Sequence, residues 1–162
     1  MTQKCGCNVS DGGVVNVTSS SVYSDYYAKN SVDLKNSQNF FCSNNIQNSW
    51  LRYDFIQNKV ILTGYSIRTR HDYDLYHPRN WVIEGSNTGG ENENEWMVLD
   101  SHTNDTTLRG TCFSHTFDID QSKTNQKGYR YLRLRQTGVN SDGYHHLIFS
   151  ALEYFGTLIE YK

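Results

Sequence analysis

Proline occurs once, at Pro78, and cysteine only four times, at Cys5, Cys7, Cys42 and Cys112. One proline excludes a polyproline segment or a Pro-rich spacer. The cysteines fall far below the roughly 8–10% of a disulfide scaffold, they form no Cys-x-x-Cys pair, and the histidines do not sit at metal-helix intervals, which argues against zinc. Reduced thiols in the cytosol are the expectation. No run approaches the ~18 consecutive apolar residues of a membrane helix, and near the start the longest is Val14-Val15. The segment after Met1 is polar, Thr2-Gln3-Lys4, without the pattern of an export signal. A cytoplasmic home is therefore expected, with secretion left open for a chain whose signal had been removed. Charge of one sign is also missing: 15 Lys and Arg against 17 Asp and Glu give −2, too near neutrality for a nucleic-acid partner or an anionic membrane footprint.

The chain also lacks Gly/Ser linkers, charge blocks and internal repeats, so one domain is expected. It has no nucleophile elbow, no phosphate-cradling glycine loop and no His-Glu-x-x-His, which argues against an enzyme. Asp118-Ile119-Asp120-Gln121-Ser122 imitates the start of an EF-hand, but Lys123 stands where glycine is needed and Tyr129 where the bidentate glutamate should be. No long stripe of helical period appears.

What is present is strand rhythm. Segments rich in β-branched and aromatic residues recur between clusters of Asn, Asp, Gly and Ser, the pattern of a sandwich or barrel. From Trp50 to Phe55, Leu51, Tyr53 and Phe55 alternate with Arg52 and Asp54, which predicts an edge or surface strand with one wet face. Lys59 to Arg70 continues with Val60 and Leu62, slips phase at Thr63-Gly64, and resumes with Tyr65 and Ile67, as a bulge would. Further strands are predicted at Asn80 to Glu84, Glu95 to Asp100, Cys112 to Asp118, Tyr129 to Gln136 and Phe149 to Phe155.

These motifs resemble a known family. Asn48-Ser49-Trp50-Leu51-Arg52-Tyr53-Asp54-Phe55 is similar to a strand of discoidin domains, the coagulation-factor type C family. His77-Pro78-Arg79-Asn80-Trp81-Val82-Ile83-Glu84-Gly85-Ser86-Asn87, followed by Glu95-Trp96-Met97-Val98-Leu99, resembles its strand, Gly-Ser, turn, Trp hairpin. Tyr129-Arg130-Tyr131-Leu132-Arg133-Leu134 and Leu152-Glu153-Tyr154-Phe155-Gly156 are similar to two later strands. The resemblance implies an all-β, jelly-roll-like antiparallel sandwich of galactose-binding-domain type over residues 17–157, between an N-terminal extension 1–16 and a tail 158–162. Within the family the wording is most similar to intracellular domains of BTB and ubiquitin-ligase proteins.

The resemblance also implies ligand loops at one end of the sandwich. A first cluster there is Arg68, Arg70, His71, Asp72, Tyr73, Tyr76, His77 and Arg79. A second is Arg133, Arg135, Gln136, Asn140, Asp142, Tyr144, His145 and His146, expected to share one rim with the first. Tyr, Arg, His and Asp offer ring faces and directional hydrogen bonds, which suit a glycan or a protein hot spot alike. Solvated loops with internal ion pairs are the plainer alternative. A structural calcium ion is implied at Asp33 with Glu153, although the family's Asp-Gly is Asp33-Leu34 here. The family's clotting members insert apolar spikes into membranes, but these loops are mostly polar, so membrane insertion is not expected. No cysteine follows Cys112 to tie the chain ends, which favours an intracellular protein partner over a glycan.

Overall fold

The computed structural model describes residues 13–36, 38–124 and 126–160. Cys5, Cys7 and most of the expected N-terminal extension lie outside the described residues. The described chain is all-β and antiparallel: β1 (Asn16–Ser19), β2 (Phe41–Cys42), β3 (Trp50–Asp54), β4 (Asn58–Arg68), β5 (Trp81–Ser86), β6 (Met97–His102), β7 (Ser114–Asp118), β8 (Tyr131–Gln136), β9 (Ile148–Phe149) and β10 (Ala151–Glu160). A five-stranded sheet runs β1-β3-β8-β5-β6, a three-stranded sheet β10-β4-β7, and β2 pairs with β9.

The alternation in β3 buries Leu51 and Tyr53 and leaves Trp50, Arg52 and Asp54 on the other face. Of the two predicted alternatives, edge or surface strand, the second holds: β3 keeps a wet face but is not at an edge, because β1 pairs with it at Val17↔Tyr53 and β8 closes its other side. β1 is short and polar, too weak a signal to read from periodicity. In β4 the predicted slip is present: against β10 the register jumps from Gly64 to Leu62, leaving Thr63 as the extra residue. Gly64 suits this crowded point, since a Cβ there would lie 2.8 Å from the Phe117 carbonyl oxygen. β10 continues to Glu160 by pairing with the first half of β4, past the predicted end at Phe155 and the expected domain limit at residue 157.

Both larger sheets contribute to one core, with Leu51, Tyr53, Ile83, Leu132 and Leu134 from the first and Leu62, Tyr65, Ile67, Phe117 and Leu152 from the second. Burying each such side chain contributes about 1.5–3 kcal/mol. The polar tips of three core aromatics are satisfied: Tyr53 Oη donates to the Leu152 carbonyl at 2.7 Å, Trp81 Nε1 to Tyr65 Oη at 3.0 Å, and Tyr65 Oη to Asp100 Oδ2 at 2.7 Å. His102 stacks on Trp81 with centroids 4.2 Å apart and bridges Asp100 (2.8 Å) and Asp105 (2.6 Å). This buried frame leaves two surfaces for function, the loops between strands and the wet face of the five-stranded sheet.

Candidate functional site

The loop between β4 and β5 and the loop between β8 and β9 meet. Asp142 Oδ2 accepts the Tyr76 N–H at 2.5 Å, and Ser141 Oγ accepts the His77 N–H at 2.9 Å. Tyr76 is held at φ +62, a conformation that a bulky residue keeps only when its surroundings enforce it. Its ring lies 5.8 Å from Tyr144 and 6.4 Å from His146. The expected shared rim therefore exists for these parts of both clusters.

Beside the rim is a cavity of about 220 Å³ lined by Tyr23, Tyr26, Phe40, Cys42, Arg70, Tyr76, His146 and Ile148. Tyr26 stacks on Phe40 at 4.3 Å, and the Arg70 guanidinium sits 4.6 Å from the Phe40 ring and 5.9 Å from Tyr76. Asp72 grips Arg70 with two bonds of 2.6 and 2.7 Å, and this hydrogen bond with its ion pair holds the Asp72 carboxyl below its ordinary range. His146 Nδ1 is 2.8 Å from the Ser43 carbonyl, which can only accept, so Nδ1 carries the hydrogen and Nε2 of a neutral ring is an acceptor. Burial, opposed only in part by Arg70, pushes the Cys42 thiol up to about 12, which leaves it unreactive.

Several predicted residues serve other ends. His77 is buried, with Nε2 2.7 Å from Asp74. Asn140 is buried too: its Oδ1 accepts from the Asp142 and Tyr144 N–H groups and its Nδ2 donates to the His146 carbonyl, so it shapes the loop. Arg79 donates to the Asp105 carbonyl, and the His145 N–H is taken by Asn45. Neither His71, 6.1 Å from Phe40, nor the exposed Tyr73, 5.3 Å from Arg70, lines the cavity itself. Arg133 and Arg135 are not on this rim. They project from β8 and line a separate cavity with Asn48, Trp50, Arg52, Glu93 and Trp96. The sequence reading missed Tyr23, Tyr26 and Phe40, which come from a segment without strand rhythm; its density of tyrosines, three from Tyr23 to Tyr27, was the available signal.

At the implied calcium position, Asp33 Oδ1 accepts the Asn36 N–H at 3.3 Å, and Glu153 lies on β10 opposite Ser66. Arg68, expected on the rim, instead donates through Nε to Ser150 and through Nη1 to the Leu34 carbonyl, while its Nη2 is buried with no partner in the described chain. A guanidinium on the loop's carbonyl, with a spare donor seeking an acceptor, is a donor set that does not fit a divalent cation needing about 6–8 oxygens. Among the described residues no three His, Cys, Asp or Glu side chains gather to hold a metal.

No protein-family model matches the chain. It superposes on CBM32-3 from a family 31 glycoside hydrolase of Clostridium perfringens with a TM-score of 0.70 at 15% identity, covering 91% of this chain and 94% of that one. The fold is discoidin-like, of galactose-binding-domain type. The discoidin-like sandwich also superposes on the lectin domain of Lectinolysin complexed with Lewis B antigen, at a TM-score of 0.63 and 16% identity over 88% of this chain and 92% of that one. In sequence it is 30% identical over 101 residues, 62% of its length, to the E3 ubiquitin-protein ligase Ufd4 of Drosophila melanogaster. It is 29% identical over 102 residues to the E3 ubiquitin-protein ligase hecd-1 of Caenorhabditis elegans. The chain spans about 4% of the length of these curated relatives.

Proposed function

We propose that this domain is a non-catalytic recognition module whose loop-end cavity receives one ring of a glycan. The observation that carries the reading is the cavity of about 220 Å³ between the Tyr26–Phe40 stack, Tyr76 and His146, with Arg70 fixed at its side. Ring faces accept the C–H side of a sugar, and His146 Nε2 and the Tyr76 hydroxyl meet its hydroxyl groups. Solved structures of the same fold include carbohydrate-binding modules and a lectin domain, one of them bound to Lewis B antigen, which supports this reading.

A protein partner is the second reading. Its support is the likeness to two ubiquitin ligases and the exposure of Tyr73, Leu75 and Tyr144 on the two loops that meet there. Unpaired Cys42 and Cys112 are in keeping with a reducing, cytoplasmic setting. We further propose that Arg68, not calcium, secures the Asp33 loop. A glycan array followed by titration calorimetry tests the main reading. Saturable binding of a glycan that weakens at least 10-fold in Tyr76→Ala is expected; silence across the array, with capture of a defined protein that depends on Tyr73 and Tyr76, replaces it with the second.

A further inference from the structure

The wet face of the five-stranded sheet holds a cavity of about 230 Å³ that shares no lining residue with the loop-end cavity. Strand register builds its floor. Arg52 lies opposite Arg133 and Arg133 opposite Glu84 in one cross-strand row, with Trp50 opposite Arg135 in the next. Like charges placed opposite each other are unfavourable in a sheet, so this floor needs negative charge. Glu84, 2% exposed, supplies it from below, accepting from Arg133 Nε at 2.7 Å and from Arg135 Nε and Nη2 at 3.2 and 2.8 Å.

One buried carboxylate against three guanidiniums leaves the floor cationic. Arg52 has no carboxylate within 4.0 Å among the described residues; Thr18 Oγ1 and the Gly89 carbonyl hold it, 5.1 Å from the Trp50 ring centroid. Arg133 is clamped 4.1 Å from the Trp96 centroid. The guanidiniums are thus oriented in advance. Two more carboxylates line the cavity, Glu91 and Glu93, and the one that pairs with the floor is Glu93, a 62% exposed side chain on the short turn Glu93–Glu95, whose Oε2 is 2.9 Å from Arg133 Nη2 and 3.7 Å from Arg135 Nε. A fixed cationic floor is met by an exposed carboxylate reaching in from a short turn.

We propose that this face is a second binding site, one for an acidic side chain of a partner protein, and that Glu93 occupies it as an internal mimic which the partner's glutamate or aspartate displaces. The arginine fork matches a planar carboxylate. A phosphate would meet the same donors, but with Glu93 displaced the three guanidiniums still face two carboxylates, Glu84 paired with Arg133 and Arg135 and Glu91 in the lining, which leaves a single positive charge to be matched.

The test titrates the domain with an acetylated, amidated tetraglutamate peptide, a tetraglutamine peptide and inorganic phosphate, following Trp50 and Trp96 fluorescence. Glu93→Gln removes the internal competitor at an exposed position, and tetraglutamate should bind at least 10-fold more tightly than to the natural chain. Adding Arg52→Ala should reverse that gain; Arg52→Lys, which keeps the charge and loses the fork, should reverse part of it should the alanine variant melt early. Equal binding of tetraglutamine, unchanged tetraglutamate affinity in a fully folded Glu93→Gln, or saturation by phosphate but not by tetraglutamate would each overturn the proposal.

Discussion

The two cavities are nearly equal in size, about 220 and 230 Å³, and both set arginine against aromatic rings, yet they are built in opposite ways. At the loop end the cation is held from outside: Arg70 is gripped by Asp72, a neighbour two residues away on the same loop, and the rim depends on contacts between loops. On the sheet face Arg133 and Arg135 are held from beneath by Glu84, which is 2% exposed and fixed by strand pairing. The loop end can therefore change residues at little expense to the fold, whereas the floor of the sheet cavity is part of the fold's own electrostatics. Similar residue types occupy a replaceable site in one place and a structural one in the other.

Glu84→Ala strips the buried counter-charge from two guanidiniums and should destabilise the domain by about 3–5 kcal/mol in urea unfolding. Asp72→Ala, which breaks an ion pair near the surface, should shift stability by less than about 1 kcal/mol; a similar loss in both variants would erase the contrast between the regions. Next in size, Tyr76→Ala should weaken glycan binding at least 10-fold, about 1.4 kcal/mol, with the melting temperature nearly unchanged. A fall in melting temperature as large as that of Glu84→Ala would mean that the rim, too, is structural.

The main pH dependence above neutrality should come from neither cavity. Burial alone would lower the His102 pKa, but hydrogen bonds to Asp100 and Asp105 outweigh it and hold it above the ordinary value. A raised folded pKa means that the protonated ring stabilises the fold in full below about 6.5 and that this contribution fades as pH rises through the folded value. Asp100 and Asp105, held low, contribute above about 3.8 and lose that contribution as pH falls. His102→Gln should flatten the stability curve above pH ~6.5, as read by chemical denaturation across pH. Smallest of all, adding Ca²⁺ should leave the melting temperature of the natural chain and of Asp33→Ala unmoved; a rise in the natural chain alone would restore calcium to the Asp33 loop.

Much of the fold was legible because burial imposes a period of two on β3 and breaks it at Thr63 in β4, and because Leu132 and Leu134 alternate with arginines in β8. The two-residue strands β2 and β9 carry too few residues to show a period. The loop-end site was legible in half: Arg70, Tyr76, Tyr144 and His146 lie in loops that follow readable strands. Phe40 and Tyr26 reach the site only through tertiary packing, which no local pattern encodes. Arg133 and Arg135 were read as flanking the loop that follows them in the chain. Their true neighbours, Arg52 and Glu84, come from strands far away in sequence, and only cross-strand register reveals that row.

The bond from the Tyr76 N–H to Asp142 spans 66 residues of chain. Neither loop cut out as a peptide would keep the bent backbone at Tyr76, and a single loop grafted onto another sandwich would arrive without the carboxylate that sets its shape. Any transfer of this rim to a new scaffold must carry residues 70–77 and 140–146 together.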